Sequence, residues 1–221
     1  YGYLDGADWL IRDYRFESNF GYFSLWYQGE KKADFQLAMI GRHNVENATA
    51  VAALCLRLGL TADEINSAFK TFQGIKRRQE VVGVKNNITV LDDFAHHPTA
   101  ICLTLEAVKE AYPEQRLWAI FEPRSATSRR KIFEQDFPDS FLVADKVIIA
   151  DLFAPEKIIE EERLDPYQVV TRLRQKGCDA HFIKEVDDIV AFMAENVESG
   201  DVVLVMSSGG FGGIHQKILD R

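Results

Sequence analysis

The run Val202-Val203-Leu204-Val205-Met206, entered through Asp201, constrains this chain most. A near-continuous apolar strand suits burial on both faces, as in a parallel sheet covered by helices. Ser207-Ser208-Gly209-Gly210-Phe211-Gly212-Gly213 follows it directly, and a last helical segment opens at Ile214. Upstream the same alternation recurs. Two β-branched runs, 81–84 and 88–91, flank Lys85-Asn86-Asn87, a tight-turn signal. Helical spacing then predicts a helix from Pro98 to Ala111, a strand at 117–121 and a helix over 127–142 bent at Pro138. A strand at 146–150, a helix capped by Asp165-Pro166, a strand at 180–183 and a helix at 186–196 complete the series. Residues 151–165, acidic and aperiodic, read as a long loop. The pattern predicts an α/β, Rossmann-like, mostly parallel sheet with helices on both faces.

The first 75 residues read differently. Aromatic residues alternate over 9–16 and 20–27, and 35–40 is a further apolar run, which predicts two or three antiparallel strands. A helix begins within Gly41-Arg42-His43-Asn44-Val45-Glu46-Asn47 and keeps a 3.6-residue period up to Leu58, with Gly59 as its stop. Thr61-Ala62-Asp63-Glu64 is a capping-box pattern for a second helix, to about Thr71. Residues 72–80 read as a linker, so the expected domains are 1–75 and 76–221.

Bulk properties exclude some functions. A formal net charge of −8 argues against a general nucleic-acid binder. No apolar run reaches the ~20 residues needed to span a membrane. The chain opens Tyr1-Gly2-Tyr3-Leu4 without Met or a signal-peptide core, and reads as part of a longer protein. Cys55, Cys102 and Cys178 are far apart and lack metal spacing, which fits a reduced cytoplasmic protein.

Three strand-to-helix crossings carry chemistry. Leu91-Asp92-Asp93-Phe94-Ala95-His96-His97-Pro98 places two carboxylates and two imidazoles on one turn. The others are Glu122-Pro123-Arg124-Ser125 and the Ser-Gly stretch at 207–213. In a parallel sheet all three project from one edge, where α/β folds bind ligands. Gly-Gly-Phe-Gly-Gly is not the dinucleotide fingerprint, and the sequence contains no G-x-x-x-x-G-K-[ST]. Ser128 and Ser207 lack the G-x-S-x-G context of a hydrolytic nucleophile. Adjacent His96 and His97 point apart, which disfavours a two-histidine metal site. His43, Asn44 and Asn47 lie on one helical turn. They either cap the helix or hydrogen-bond a heterocycle or ribose. Arg78 is either a solvated linker cation or a partner for an anion at the acidic turn.

Gly41 to Ala48, residues 72–80 and Leu91-Asp92-Asp93-Phe94-Ala95-His96-His97-Pro98 resemble, in that order, the back half of the Mur ligases. Phe121-Glu122-Pro123-Arg124-Ser125 and Met206 to Lys217 resemble the murein-recycling branch, which joins L-Ala-γ-D-Glu-meso-diaminopimelate to UDP-N-acetylmuramate. Where that branch commonly has Asn, this chain has Ala126 and Ser208. The resemblance implies that 1–75 is the tail of a central ATPase domain and 76–221 the Rossmann-like C-terminal domain. It implies ATP and Mg²⁺ as cofactors, with UDP-N-acetylmuramate, the tripeptide and the upstream domains of the same chain as partners. It implies that His43, Asn44, Asn47, Arg78 and Asp93 contact ATP, with Arg78 and His96 also acting in catalysis. His97, Arg124, Ser125, Ser207, Ser208, Gly209, Gly210 and Phe211 would hold the incoming substrate. No resident metal ligand is expected, and this stretch alone should not turn over. Two readings compete: a non-catalytic peptide- or nucleotide-binding domain, and a metal hydrolase using Asp92, Asp93 and His96.

Overall fold

Alternating aromatic residues build a three-stranded antiparallel sheet, β1 (Trp9–Glu17), β2 (Phe20–Tyr27) and β3 (Glu30–Leu37), in that spatial order. β3 starts at Glu30 rather than residue 35. Its first residues pair with Trp26 and Tyr27 through the backbone, while Glu30, Lys31 and Lys32 stay exposed. An edge strand needs no apolar pattern there, so hydrophobicity did not mark its start. Helices α1 (Arg42–Arg57) and α2 (Ala62–Thr71) lay Val45, Ala52, Ile65 and Phe69 on this sheet. The Phe35 ring lies 5.5 Å from Phe23 and 5.6 Å from Phe69. Gly59, at φ +93°, closes α1 in the left-handed region that glycine adopts without strain. The Thr61 capping box is formed in full.

The computed structural model describes residues 1–221 and divides into two units, Tyr1–Ile75 and Lys76–Arg221. The second unit is a six-stranded sheet in the order β4-β5-β9-β6-β7-β8. The strands are β4 (Glu80–Lys85), β5 (Ile88–Asp93), β6 (Leu117–Phe121), β7 (Lys146–Ile149), β8 (Asp179–Phe182) and β9 (Val202–Met206). Only β4, paired to β5 through the Asn86-Asn87 turn, is antiparallel. Both turn residues take φ near +60°, as a type I′ hairpin requires. Helices α3 (Pro98–Ala111), α4 (Phe137–Ser140), α5 (Pro166–Gln175), α6 (Val186–Asn196) and α7 (Ile214–Asp220) cover the sheet. Along β6 the faces alternate. Trp118 and Ile120 join the core beneath α6 and α7, while Phe121 stacks on Phe137 and Phe141 of the other layer.

The helix expected over 127–142 does not form. A short 3₁₀ turn (Lys131–Phe133) and α4 replace it. Phe133, Phe137 and Phe141 recur every four residues, which imitates a helix, but their rings serve a turn packed on Phe121 and His97. The backbone finds other partners: Ser128 N–H donates to Ser125 Oγ, and the Arg129 carbonyl accepts from Leu164 N–H. Arg129 also donates to the carbonyls of Phe153 and Ala154, tying this segment to the 151–165 loop.

β9 is anchored where it enters the sheet. Asp201 accepts from Arg116, from Trp118 Nε1 at 2.8 Å and from Glu198 N–H at 2.9 Å. Burial alone would raise its pKa, but Arg116 and the two N–H donors outweigh that and hold it below the usual carboxylate range. A depressed native pKa adds stability above the unfolded-state value, and that stability is lost as pH falls through the native value. The Asp201→Asn variant, which weakens hydrogen bonds to a charged group, should therefore be less stable by about 2 kcal/mol near neutral pH. Its urea-unfolding free energy should also fall less steeply than that of the unaltered chain below pH 4.

Candidate functional site

The strand ends set the geometry. β9 lies between β5 and β6, and Met206 is in register with Asp93 on one side and Phe121 on the other. Ser207 N–H donates to the Asp93 carbonyl, and Glu122 N–H donates to the Met206 carbonyl. The turns after Asp93, Phe121 and Met206 therefore leave one edge at one level, beside the position where the strand order reverses.

The acidic turn is held from within. Asp93 accepts from Ala95 N–H (2.7 Å) and Gln79 N–H (2.8 Å), and only 1% of the residue is exposed. Burial raises its pKa despite these donors. It thus organises the turn and presents no surface to a ligand in this conformation. Asp92 is driven the other way: burial pushes its pKa up, but His215 and Arg77 bring it below the usual range. His215 Nε2 stands 3.3 Å from Asp92 Oδ1 without the alignment of a hydrogen bond.

The two histidines differ. A carbonyl oxygen only accepts, so His96 Nδ1, 2.9 Å from the Phe94 carbonyl, carries the proton. In the neutral ring Nε2 is then the basic nitrogen. His97 caps α3 by accepting from Thr99 N–H on Nδ1, which puts the neutral ring's proton on Nε2. Of the pair, His96 is the one poised to take a proton at its outer nitrogen.

Glu122 is 7% exposed and accepts from Ser207 Oγ at 2.5 Å. The same hydroxyl accepts from Gly209 N–H. Arg124 Nη1 lies 3.6 Å from Glu122, and its guanidinium sits 3.4 Å above the Phe153 ring. A Cβ on Gly209 would fall 1.9 Å from Arg124 Nε, so this glycine leaves the space that the arginine fills. Ser125 uses its hydroxyl in the turn with Ser128, and Phe211 is buried in the core. Ser208 and Gly209 are half-buried and Gly210 is exposed. A cleft of about 380 Å³ adjoins them, lined by Glu122, Asp151, Phe153, Lys184 and Phe211 among others.

The linker arginines divide their tasks. Arg78 is exposed, 5.8 Å from the centre of the Phe94 ring. Arg77 turns inward to Asp92 and to the carbonyls of Ser207 and Gly209. In the first unit, Asn44 is buried and donates to the Ile40 carbonyl, His43 is half-buried and Asn47 is exposed. No group of three or more His, Cys, Asp or Glu side chains converges as a metal site. The hydrolase reading, which needs Asp92, Asp93 and His96 as ligands, therefore finds no clustered ligand set. No helix is long and apolar enough to cross a membrane.

Residues 77–209 match the family described as Mur ligase, glutamate ligase domain. The chain belongs to the Mur ligase family. It is 37% identical over 222 residues to UDP-N-acetylmuramate–L-alanine ligase of Caldanaerobacter subterraneus, covering all of this chain and 48% of that protein. It is also 37% identical over 193 residues to UDP-N-acetylmuramate–L-alanyl-γ-D-glutamyl-meso-2,6-diaminoheptandioate ligase of Escherichia coli, covering 87% and 40%. The crystal structure of UDP-N-acetylmuramate–alanine ligase from Thermotoga maritima superposes with a TM-score of 0.83 at 21% identity, over 99% of this chain and 46% of that one. The chain thus spans about half the length of the curated relatives it matches.

The sequence of this Mur ligase segment shows Arg77 in a basic linker and Asp92 on the acidic turn, but not the pairing of Arg77 with the 207–209 loop, of Asp92 with His215, or of Arg124 with Phe153. Each acts through a partner distant in sequence, and a basic linker normally faces water. The Glu122–Ser207 contact yields a stability test. Ser207→Ala leaves a buried carboxylate without its hydroxyl donor and should cost about 1–3 kcal/mol in chemical denaturation. A cost below 0.5 kcal/mol, the range of an ordinary surface substitution, would contradict the contact.

Proposed function

We propose that this chain is the amine-accepting half of a longer ATP-dependent ligase that joins an amino acid or peptide to the carboxylate of UDP-N-acetylmuramate, in the cytoplasm, for cell-wall synthesis. One observation carries the reading. Arg124 is held in place by Gly209 and Phe153 on the edge that also bears His96. A fixed guanidinium suits a carboxylate, which it can grip through two parallel hydrogen bonds.

The chemistry proposed is acyl transfer through phosphate. The carboxylate takes the γ-phosphoryl group of ATP and becomes an acyl phosphate. The amine then attacks the carbonyl carbon, the tetrahedral adduct expels phosphate, and the amine loses a proton as the amide forms. His96 Nε2 would accept that proton, and Arg124 would orient the amine by its carboxylate. Arg78, exposed beside Phe94, would face phosphate charge. His43 and Asn47 would meet the nucleotide on the first unit, the end of a central ATP-binding domain, while Asn44, buried and donating to the Ile40 carbonyl, would hold the start of α1. Asp93 would act on the ribose only indirectly, by holding the turn.

For the amine substrate, the L-Ala-γ-D-Glu-meso-diaminopimelate tripeptide is the reading put forward. The Escherichia coli relative and the Glu122-Pro123-Arg124-Ser125 turn support it. L-alanine is the second reading, favoured by the Caldanaerobacter relative, which matches along the entire chain. Phosphate release by the longer ligase, given UDP-N-acetylmuramate and ATP with either amine, tests both. Turnover with the tripeptide supports the first, turnover with alanine alone overturns it, and none with either overturns the ligase assignment. Arg124→Ala should raise the KM for the amine about 10-fold or more while the KM for ATP stays within about 2-fold. Equal changes in both would remove Arg124 from the amine site.

A further inference from the structure

Arg77 is half-buried at the start of the second unit, next to the Ile75–Lys76 division, and the chemistry above makes no use of it. Its Nη2 donates to the Ser207 carbonyl (2.5 Å) and the Gly209 carbonyl (2.7 Å), and its Nε donates to Asp92 (3.1 Å). Its own backbone is pinned too. Arg77 N–H donates to Glu80 at 2.8 Å, and its carbonyl accepts from Phe94 N–H at 2.9 Å. Arg77 and Gln79 both take positive φ, +59° and +50°, an uncommon conformation for side chains of this size. The surrounding bonds hold the linker in that twist, which turns Arg77 inward and leaves Arg78 outside.

The two carbonyls flank Ser208, and Gly209 is the residue against which Arg124 packs. Without a donor, this glycine-rich loop would keep the Ser207 hydroxyl contacts but lose the bonds that fix its peptide planes. We propose that Arg77 is a positioning residue: it locks the Ser207–Gly209 backbone as the platform for Arg124, and so makes amine-substrate binding depend on the conformation of the linker between the two units. The kinetic part rests on the ligase reading, while the structural part does not. Arg77 touches no substrate in this scheme; its effect passes through Gly209 to Arg124.

A double-mutant cycle in the longer ligase tests the kinetic part. Arg77→Ala should raise the KM for the amine about 10-fold and leave the KM for ATP within about 2-fold. Combined with Arg124→Ala it should add little to the larger single effect, because both changes disable one element. Arg77→Lys, which keeps a donor but not the fork, should recover part of the loss. Additive effects, or equal changes in both KM values, would overturn the proposal. In the present chain, Arg77→Ala should speed amide exchange at Gly209, whose N–H is held on Ser207 Oγ within the locked loop, at least 10-fold, with β9 still protected. Unchanged loop exchange would overturn the lock whatever the enzyme's substrate. If β9 also loses protection, Gly209→Ala replaces it, since its Cβ displaces Arg124 without removing Arg77. That variant should reproduce the amine-specific rise in KM, and ordinary kinetics from it would overturn the platform. Absence of ligation by the unaltered enzyme would sink the ligase reading alone, because the exchange measurement still judges Arg77.

Discussion

The parallel register of β9 between β5 and β6 is the constraint on which the second unit depends. Asp93, Met206 and Phe121 end level with one another, and two backbone hydrogen bonds carry the pairing one residue beyond each end. A slip of one residue would reverse every side chain on a strand whose positions are all buried. It would also separate Ser207 from Glu122, and Gly209 from Arg124. The five apolar residues of β9 therefore do more than fill a core, since they set the height at which three turns meet.

The turns then satisfy their own polar groups with little help from regular structure. Asp93 is consumed by two N–H groups, Ser207 by Glu122 and Gly209, and Arg77 by two carbonyls and Asp92. Buried polar groups must be paired, and these pairings leave a defined remainder for a ligand. What stays available is Arg124, the outer nitrogen of His96 and the exposed Arg78. The two neighbouring histidines show how the remainder is set: one carbonyl and one N–H give them opposite tautomers.

Much of this was legible in the sequence. The alternation of apolar runs and helical periods gave the α/β class, and the order of the strands put three turns on one edge. Caps such as Thr61 and Asp165 were readable because they act within three residues. The misreadings share a physical cause. Phe133, Phe137 and Phe141 have helical spacing, yet the backbone just before them, at Arg129 and Arg130, is paired with Arg163 and Leu164 of the 151–165 loop, which no local pattern reveals. The start of β3 was hidden because an edge strand can be polar on its outer face. In the site, Arg124 and Ser207 stood in visible motifs. Arg77 lay in the 72–80 stretch, but its inward role was hidden because its carbonyl partners lie 130 and 132 residues away. Asp93 looked like a ligand group, and burial made it the internal brace of its turn.

If the sheet edge carrying these three turns receives the amine substrate, amide chemical shifts of the isotope-labelled chain, titrated with the L-Ala-γ-D-Glu-meso-diaminopimelate tripeptide, will show it. Perturbations should group at 94–97, 122–125 and 207–211, with the opposite edge at 85–88 and 198–202 unmoved. Shifts confined to that opposite edge, or none at saturating peptide, would contradict it.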